Sequence, residues 1–457
     1  MVFSWLRRTT EHPDETEQQP LLPQDGCLQE TSERSLCLAS SPELKHEALH
    51  HPAFTVLKQL AVMLNFFICG VIVTGIGVLL PEIGAFYGLK DGTTALIFPT
   101  AVTGYVCSTV VVELIHGRLG RRGIAFLSPA IRLVAMSLLA TGSSFHVTLA
   151  GYFLGSFGIG LSDAGFCAWA TSVPYASIVQ GFMHGSFSVG SILGPQVANL
   201  MLKKGFKWFE FYRMTGLLLV IELVVLGIAF RLDDADHYSA NHDDSDEVEP
   251  HSHNALTHRA TWICGAFCFF YVGLEGCFTD WIAVYMRRAR HTDPTTSSLA
   301  TSMFWIGMST GRFTLGPLSQ YIGVRMAVAG YLLALMVLQV LFRLLTNVTA
   351  SLLLVAGSGL FCGPIFPSAI LLLSLKLPSR AQVGAVAAVG ALGQVGAGIA
   401  PFAVGQMADS LGIKHLLTMI LGLSALALLV WAVFARLPKA TSELRRQSLE
   451  ERKRMSV

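Results

Sequence analysis

Charge is what this sequence has least of. Only 14% of its 457 residues are Asp, Glu, Lys or Arg, while 52% are hydrophobic and the mean hydropathy is +0.55. Soluble domains carry about a quarter charged residues, so the composition points to an integral membrane protein. Neither sign is in excess: 32 basic against 30 acidic residues leave a net charge of +2, which offers no electrostatic footprint for nucleic acid. Disulfide spacing is missing as well. Cys69, Cys107, Cys167, Cys264, Cys268, Cys277 and Cys362 fall inside apolar runs and read as small hydrophobes, and Cys27 and Cys37 as reduced thiols of the polar leader. The first 53 residues, rich in Glu, Gln, Pro and Ser, contain no early apolar run of the kind a cleavable signal peptide needs, and read as a disordered tail. Phosphate-cradling loops, metalloprotease helices and nucleophile elbows are also missing. The expectation is a protein that is not an enzyme and takes no cofactor.

What the sequence does have is long apolar runs. A helix needs about 20 such residues to cross a bilayer, and about twelve runs qualify, centred near residues 70, 105, 133, 159, 192, 221, 273, 308, 335, 362, 394 and 425. Backbone polar groups must be satisfied within lipid, and these runs lack the two-residue alternation of barrel strands, so the expected fold is all-α. One separator is long, the acidic stretch 231–259, and it divides the runs six and six. The expected organisation is a tail over 1–53, a six-helix bundle over 54–231, an acidic His-rich linker over 232–258, a second six-helix bundle over 259–437 and a basic tail over 438–457. The linker's His237, His242, His251 and His253 could hold zinc loosely, though a solvated tether is the plainer reading.

An even number of spans puts both termini on one side. The basic loop "HGRLGRRG" and the basic ending make that side cytoplasmic, although "LKKGFKW" and "MRRARH" would then lie outside, against the rule. The sequon at Asn347 lies on a loop too short to favour glycosylation. In the leader, Glu17, Leu21 and Leu22 match the acidic dileucine pattern that sorting adaptors read, leaving the plasma membrane and a vacuolar or lysosomal membrane both open.

The two halves repeat at a spacing of about 200 residues. "SVGSILGP" (188–195) aligns with "QVGAGIAP" (394–401), "GIGL" (158–161) with "GSGL" (357–360), and "ELIHGRLGRR" (113–122) with "GPLSQYIGVR" (316–325), in consistent order. With its twelve runs, 6+6 division and repeat, the chain resembles the major facilitator superfamily over residues 54–437. In that family's loop between helices 2 and 3, Arg118, Gly120, Arg121 and Arg122 fit, while Gly117 and Glu113 replace its aspartate and leading glycine; Gly316, Gly323 and Arg325 fit in the second copy, with Gln320 at the acidic position. Within the superfamily, "FFYVGLEGCFTDWIAVYM" (269–286), "GIGLSDAGFCAWA" (158–170) and "HGSFSVGSILGP" (184–195) resemble helices 7, 4 and 5 of the fucose:proton symporter family. The resemblance implies two pseudo-symmetric six-helix bundles that carry a small polar solute, such as a monosaccharide, by alternating access with a coupling proton. An exporter of drugs or amphipathic metabolites on the same fold, and a transport-inactive nutrient sensor, are the competing readings.

The candidate site residues are ionisable groups in apolar runs. At about 1.5 Å per residue, Asp163 lies some 24 Å and Glu275 roughly 21 Å into their helices, where a charge costs about 3 kcal/mol or more unless it faces water or a partner. Both are read as proton-coupling groups. For Asp163 the alternative is a structural role, an ion pair with Arg132 or a hydrogen bond to a neighbouring hydroxyl; Glu222 reads as structural. Asp280 is expected towards the solvated end of its helix, with a possible hand in substrate binding. In the resembled fold, Trp169, Tyr271, Trp281, Trp305 and Phe361 fall on cavity-lining helices, and aromatic platforms beside Gln196 or Gln394 suit the apolar faces and hydroxyl rims of sugars. Core packing is the bland alternative for each. Glu113, Arg118, Arg121, His184 and Arg312 are expected as gating groups near the cytoplasmic edge. The resemblance has one gap: where that family carries a second carboxylate in helix 1, four residues before a proline, this chain has Gly77 before Pro81.

Overall fold

The computed structural model describes residues 52–171, 173, 176–233, 256–377 and 379–438. The dileucine pattern, the four linker histidines and the basic tail lie outside them. Among the described residues, twelve long helical spans form two bundles of six. The first bundle comprises α1 (Pro52–Tyr87), α2 (97–119), α3 (121–140), α4 (Phe145–Thr171), α5 (Ala176–Lys203) and α6 (Trp208–Ala229). The second comprises α7 (Arg259–Ala289), α8 (Pro294–Ile322), α9 (Val324–Leu344), α10 in two segments (Val348–Cys362 and Ile365–Ser374), α11 (Ser379–Ser410) and α12 (Leu416–Arg436).

By length and composition, nine helical stretches among the described residues suffice to cross a membrane, one of them holding both α2 and α3. The other two spans, α5 and α8, are diluted by serines, glycines and charged groups. Where α1 starts and α12 ends is called the near face below, and the opposite side the far face.

Turns between spans are as tight as a backbone allows. Between α2 and α3 a single residue, Gly120, takes φ 66°, a left-handed conformation that costs glycine nothing. Gly323 repeats this between α8 and α9 with φ 92°. Helix crossings repeat too. A Cβ on Gly190 of α5 would stand 2.0 Å from the Phe67 carbonyl oxygen of α1, and one on Gly396 of α11 would stand 2.0 Å from that of Phe269 on α7. In lipid no hydrophobic force draws helices together, so such backbone-to-backbone approach supplies the packing. The sequence alignment of Gly190 with Gly396 therefore corresponds to one crossing built twice.

Each bundle has its own buried polar tie. In the first, Arg132 of α3, wholly buried, pairs with Glu222 of α6. Asn65 of α1 donates to the same carboxylate at 2.7 Å, and an Arg132 nitrogen stands 3.0 Å from the Cys69 sulfur. At the near face, Lys58 of α1 meets Asp233, just past α6, at 2.7 Å, and the Arg122 amide donates to the Asp233 carbonyl at 2.9 Å. In the second bundle Gln339 of α9 donates to Ser424 of α12 at 2.9 Å.

Candidate functional site

Helix α4 runs unbroken past Asp163, whose side chain is partly accessible. The hydroxyl of Tyr105 on α2 donates to one carboxylate oxygen, and the Cys167 sulfur, one turn on, lies 3.5 Å from the other. The alternative pairing with Arg132 does not form, because that guanidinium is committed to Glu222. Asp163 thus keeps a hydroxyl and a thiol partner and no ion-pair partner among the described residues.

Arg312 of the second bundle shares His184 with Asp163 as an electrostatic neighbour. Its guanidinium donates to Ser188 of α5 at 3.2 Å and lies 3.3 Å from the Met308 sulfur. Glu275 of α7 and His184 of α5 are its electrostatic neighbours, and Asp163 also reaches His184. The His184 ring stands edge-on to Phe66 at 5.7 Å. Tyr271, adjoining Glu275, donates its hydroxyl to the Cys362 carbonyl at 2.7 Å. Counted along their helices, Asp163 and Arg312 lie about 27 Å and Glu275 about 21 Å from the far-face ends. These groups form one band across the molecule, two from each bundle. Arg312 bonds across the two halves as expected of a clamp, but to Ser188 at about 27 Å from the far-face end of α8 rather than at the near-face edge.

The expected gate at the near face is not where the described bonds between bundles lie. Glu113 and Arg118 are exposed at the end of α2, and Arg121 is half-buried at the start of α3. The cross-bundle bonds run instead from the Ser188–Arg312 level out to the far face. Gln196 of α5 donates to Ser302 of α8 at 3.1 Å. Arg287 of α7 pairs with Glu82 of α1 at 3.0 Å, and Arg288 with Asp91. Asp409 of α11 accepts the amides of Asp91 at 3.0 Å and Gly92 at 2.8 Å, while Gln406 donates to the Gly92 carbonyl at 3.0 Å. The far face is shut. "MRRARH", a breach of the charge rule in the sequence, supplies the cations of this closure.

The aromatic wall is not assembled. Trp169 is a core residue, 2% exposed and edge-on to Phe230 at 5.6 Å, because its face of α4 turns towards the end of α6. Trp281 donates its indole N–H to the Pro401 carbonyl at 2.9 Å and leans on Phe98. Trp305 packs on Phe187 at 5.6 Å in the seam between α5 and α8, and Phe361 on Tyr331 at 6.1 Å. Gln394 is half-buried on α11. These rings fill separate packing sites rather than one platform. Asp280 is also corrected: it is 8% exposed, not solvated, because α1 presses on its helix at that point. An open apolar groove of about 660 Å³ is lined by Met63, Leu64 and Phe67 of α1, Gly185 and Val189 of α5, and the exposed Phe313 of α8; none of the four ionisable groups lines it.

Sequence reasoning missed Tyr105, Asp91 and Asp409. Tyr105 is one aromatic in an apolar run and carries no signal of its own. The two aspartates lie at helix ends, where solvation explains them until the fold brings residues 91 and 409 together.

A family model described as Major Facilitator Superfamily matches residues 62–289 and 266–456. The yeast Saccharomyces cerevisiae protein named Bypass of stop codon protein 6 is 24% identical over 419 residues, covering 85% of this chain and 84% of its own length. An uncharacterised transporter of the same superfamily from Yersinia pestis is 23% identical over 262 residues, 56% of this chain and 65% of its own. Among solved structures, a bacterial homologue of the human lysosomal transporter Spinster, inward-facing and occupied, superposes with a TM-score of 0.63 at 12% identity, covering 85% of this chain and 98% of that one. Its inward-facing, unoccupied form gives 0.65 with the same identity and coverage.

Proposed function

The chain belongs to the major facilitator superfamily, and from that premise we propose that it is a proton-coupled secondary transporter of a small polar solute, working by alternating access. The observation that carries this reading is the state of Asp163: a partly accessible mid-depth carboxylate held by the Tyr105 hydroxyl, opposite Arg312 of the other bundle, in a molecule shut at the far face. Ionisable groups kept at such depth mark ion and substrate pathways, and sites at the midplane between repeats are the rule for carriers built this way. Asp163 takes the proton, Glu275 and Arg312 answer its change of charge from the second bundle, and the bundles rock about the Ser188–Arg312 and Gln196–Ser302 contacts. With the termini cytoplasmic, the state described faces inward. A monosaccharide is the first cargo to try, since its hydroxyls suit carboxylates and amides of the kind Asp163, Glu275, Gln196 and Gln394 supply; the dispersed aromatics give it no stacking platform, so the wider class of small polar solutes is the one we assign.

The test is uptake into proteoliposomes under an imposed pH gradient, first with labelled hexoses and then with a panel of polar solutes. Asp163→Asn should lower gradient-driven accumulation at least tenfold while leaving solute exchange intact. Accumulation undiminished by Asp163→Asn would overturn the coupling assignment. Dependence on an amphipathic cargo alone would transfer the protein to the exporter reading.

A further inference from the structure

Eight buried side-chain atoms have no hydrogen-bond partner among the described residues, and five of them lie on α5 and α8: Ser191 Oγ, Asn199 Oδ1, Thr295 Oγ1, Thr301 Oγ1 and Trp305 Nε1. Native proteins pair nearly all their buried polar atoms, so a concentration on two helices calls for a cause. These are helices that meet across the bundles. Ser188, Ser191 and Asn199 share one face of α5, and Thr301, Trp305 and Arg312 one face of α8, at spacings of three, four, seven and eight residues that are each close to whole turns. The two helices are pinned together where Arg312 donates to Ser188 at 3.2 Å, Gln196 to Ser302 at 3.1 Å and Ser302 to the Ile192 carbonyl at 2.6 Å. Trp305 lies against Phe187, with 5.6 Å between ring centroids. Along this seam Ser191 and Thr301 are fully buried, and Asn199 and Trp305 are 4% exposed. The four lie about 6 to 18 Å from the far-face ends of their helices, between that face and the Ser188–Arg312 level. Residues 189–202 of α5 and 294–311 of α8 include no Asp, Glu, Lys, Arg or His. The seam between α2 and α11 gives the contrast. A Cβ on Gly398 of α11 would stand 2.5 Å from the Val102 side chain and 3.2 Å from the Phe98 carbonyl oxygen of α2, and neither helix has a buried side-chain nitrogen or oxygen without a partner among the described residues.

We infer that Ser191, Asn199, Thr301 and Trp305 form a far-side station for the solute, a row of hydrogen-bonding groups that receives a neutral, polyhydroxylated molecule. A buried donor or acceptor with no partner carries its whole desolvation penalty, and the closed seam bears four. When α5 and α8 part at the far face, the same atoms meet water and then solute, and the penalty is relieved. The indole N–H donates, the Asn199 amide oxygen accepts and the two hydroxyls do both. That set suits neighbouring hydroxyls and offers nothing to neutralise a charge. As the seam closes again its atoms give up the solute, which moves inward to the level of Arg312 and Asp163. The station deepens the transport reading and rests on it, but its chemistry uses neither the proton nor Asp163.

Two measurements test it, the first without any solute. Thr301→Val keeps the shape of the side chain and removes its hydroxyl, so it should leave the unfolding midpoint of the purified protein unchanged or raise it. A fall would show that the hydroxyl has a partner in the closed seam, such as fixed water, and overturns the proposal. The second is saturable uptake of labelled D-glucose and xylitol by proteoliposomes of known orientation, at one pH on both sides. Thr301→Val, Asn199→Leu and Trp305→Phe should each raise the half-saturating concentration on the far side about fivefold or more and change that on the near side less than about twofold. Thr301→Ser should restore the wild-type value. Equal changes on the two sides, no change on either, or no saturable uptake of either probe by the wild type overturns the proposal. Asp163→Asn is read by accumulation under a gradient and these variants by saturation without one, so the two readings fail separately.

Discussion

Between the third and sixth helices of each bundle lies a buried polar pair, at positions about 200 residues apart in the chain. In the first bundle it is charged, Arg132 with Glu222, and it gathers Asn65 and Cys69 from α1 and, through Ser128, the Gly158 carbonyl of α4 at 2.9 Å. In the second it is neutral, Gln339 with Ser424 at 2.9 Å, and involves α9 and α12 only. An amide and a hydroxyl are enough to tie two helices in lipid, so the costlier ionic version must be sought in what surrounds it. The first bundle carries Asp163 just over one turn beyond the α4 segment that the network holds. In the second, the alignment of 158–161 with 357–360 puts Cys362 at the matching place in α10. Each bundle carries one part-accessible acid, Asp163 and Glu275, but only in the first are α1, α3, α4 and α6 tied together by a charged network.

The comparison breaks most readily at its charged member. Removing one partner of a wholly buried ion pair leaves an uncompensated charge and costs about 3–5 kcal/mol, whereas one interhelical hydrogen bond in a membrane protein is worth roughly 0.6 kcal/mol. Glu222→Ala should therefore lower the unfolding midpoint of the purified protein far more than Gln339→Ala. Replacing both Arg132 and Glu222 by apolar residues should recover most of the stability but not gradient-driven uptake. Equal losses in the two bundles would show that the ion pair is no more than a second helix tie.

A smaller effect sharpens the symmetry instead. Alanine at Gly190 or Gly396 drives a methyl against a backbone carbonyl that cannot swing aside, and overpacking of this kind costs about 1–3 kcal/mol. Since the two crossings share their geometry, the two substitutions should shift thermal unfolding by similar amounts. A large difference between them would mean that the repeat has diverged in packing as well as in polar chemistry.

Much of this was legible in the chain because lipid allows so few solutions. Twelve runs, a long separator and matched glycines dictate spans, division and repeat, and the backbone contacts at Gly190 and Gly396 repay that alignment residue by residue. Asp163 and Glu275 were legible for the same reason: charge in an apolar run has to be explained. What escaped was partnership. Nothing in the sequence says that Arg132 prefers Glu222 to Asp163, or that Asp280 lies under α1, since both follow from how helices rotate about their axes. The aromatic wall failed on the same point. Trp169 and Phe361 sit on helices that border the cavity in such folds, but their faces of those helices turn into the core.

The smallest expected effect concerns how the two bundles start their second helical hairpins. Asp293 caps α8, its carboxylate accepting the hydroxyl of Thr296 at 2.6 Å and the amides of Thr295 at 2.9 Å and Thr296 at 3.2 Å. The Thr296 hydroxyl, then the amides, favour the charged form and hold this exposed carboxyl down at about 2. In the first bundle Lys90, which precedes the short helix Asp91–Thr94 ahead of α2, has nearly the same backbone, φ −76° and ψ 162° against −65° and 159°, and no side-chain cap. A carboxyl depressed in the folded state stabilises above its unfolded value of about 3.9 and loses that contribution as the pH falls through its folded value. The stability gap between wild type and Asp293→Ala should therefore be steady from neutrality down to about pH 4 and close towards pH 2, while Lys90→Ala shows no such closure. A gap that persists unchanged at pH 2 would mean that Asp293 holds α8 by its hydrogen-bonding shape rather than by its charge.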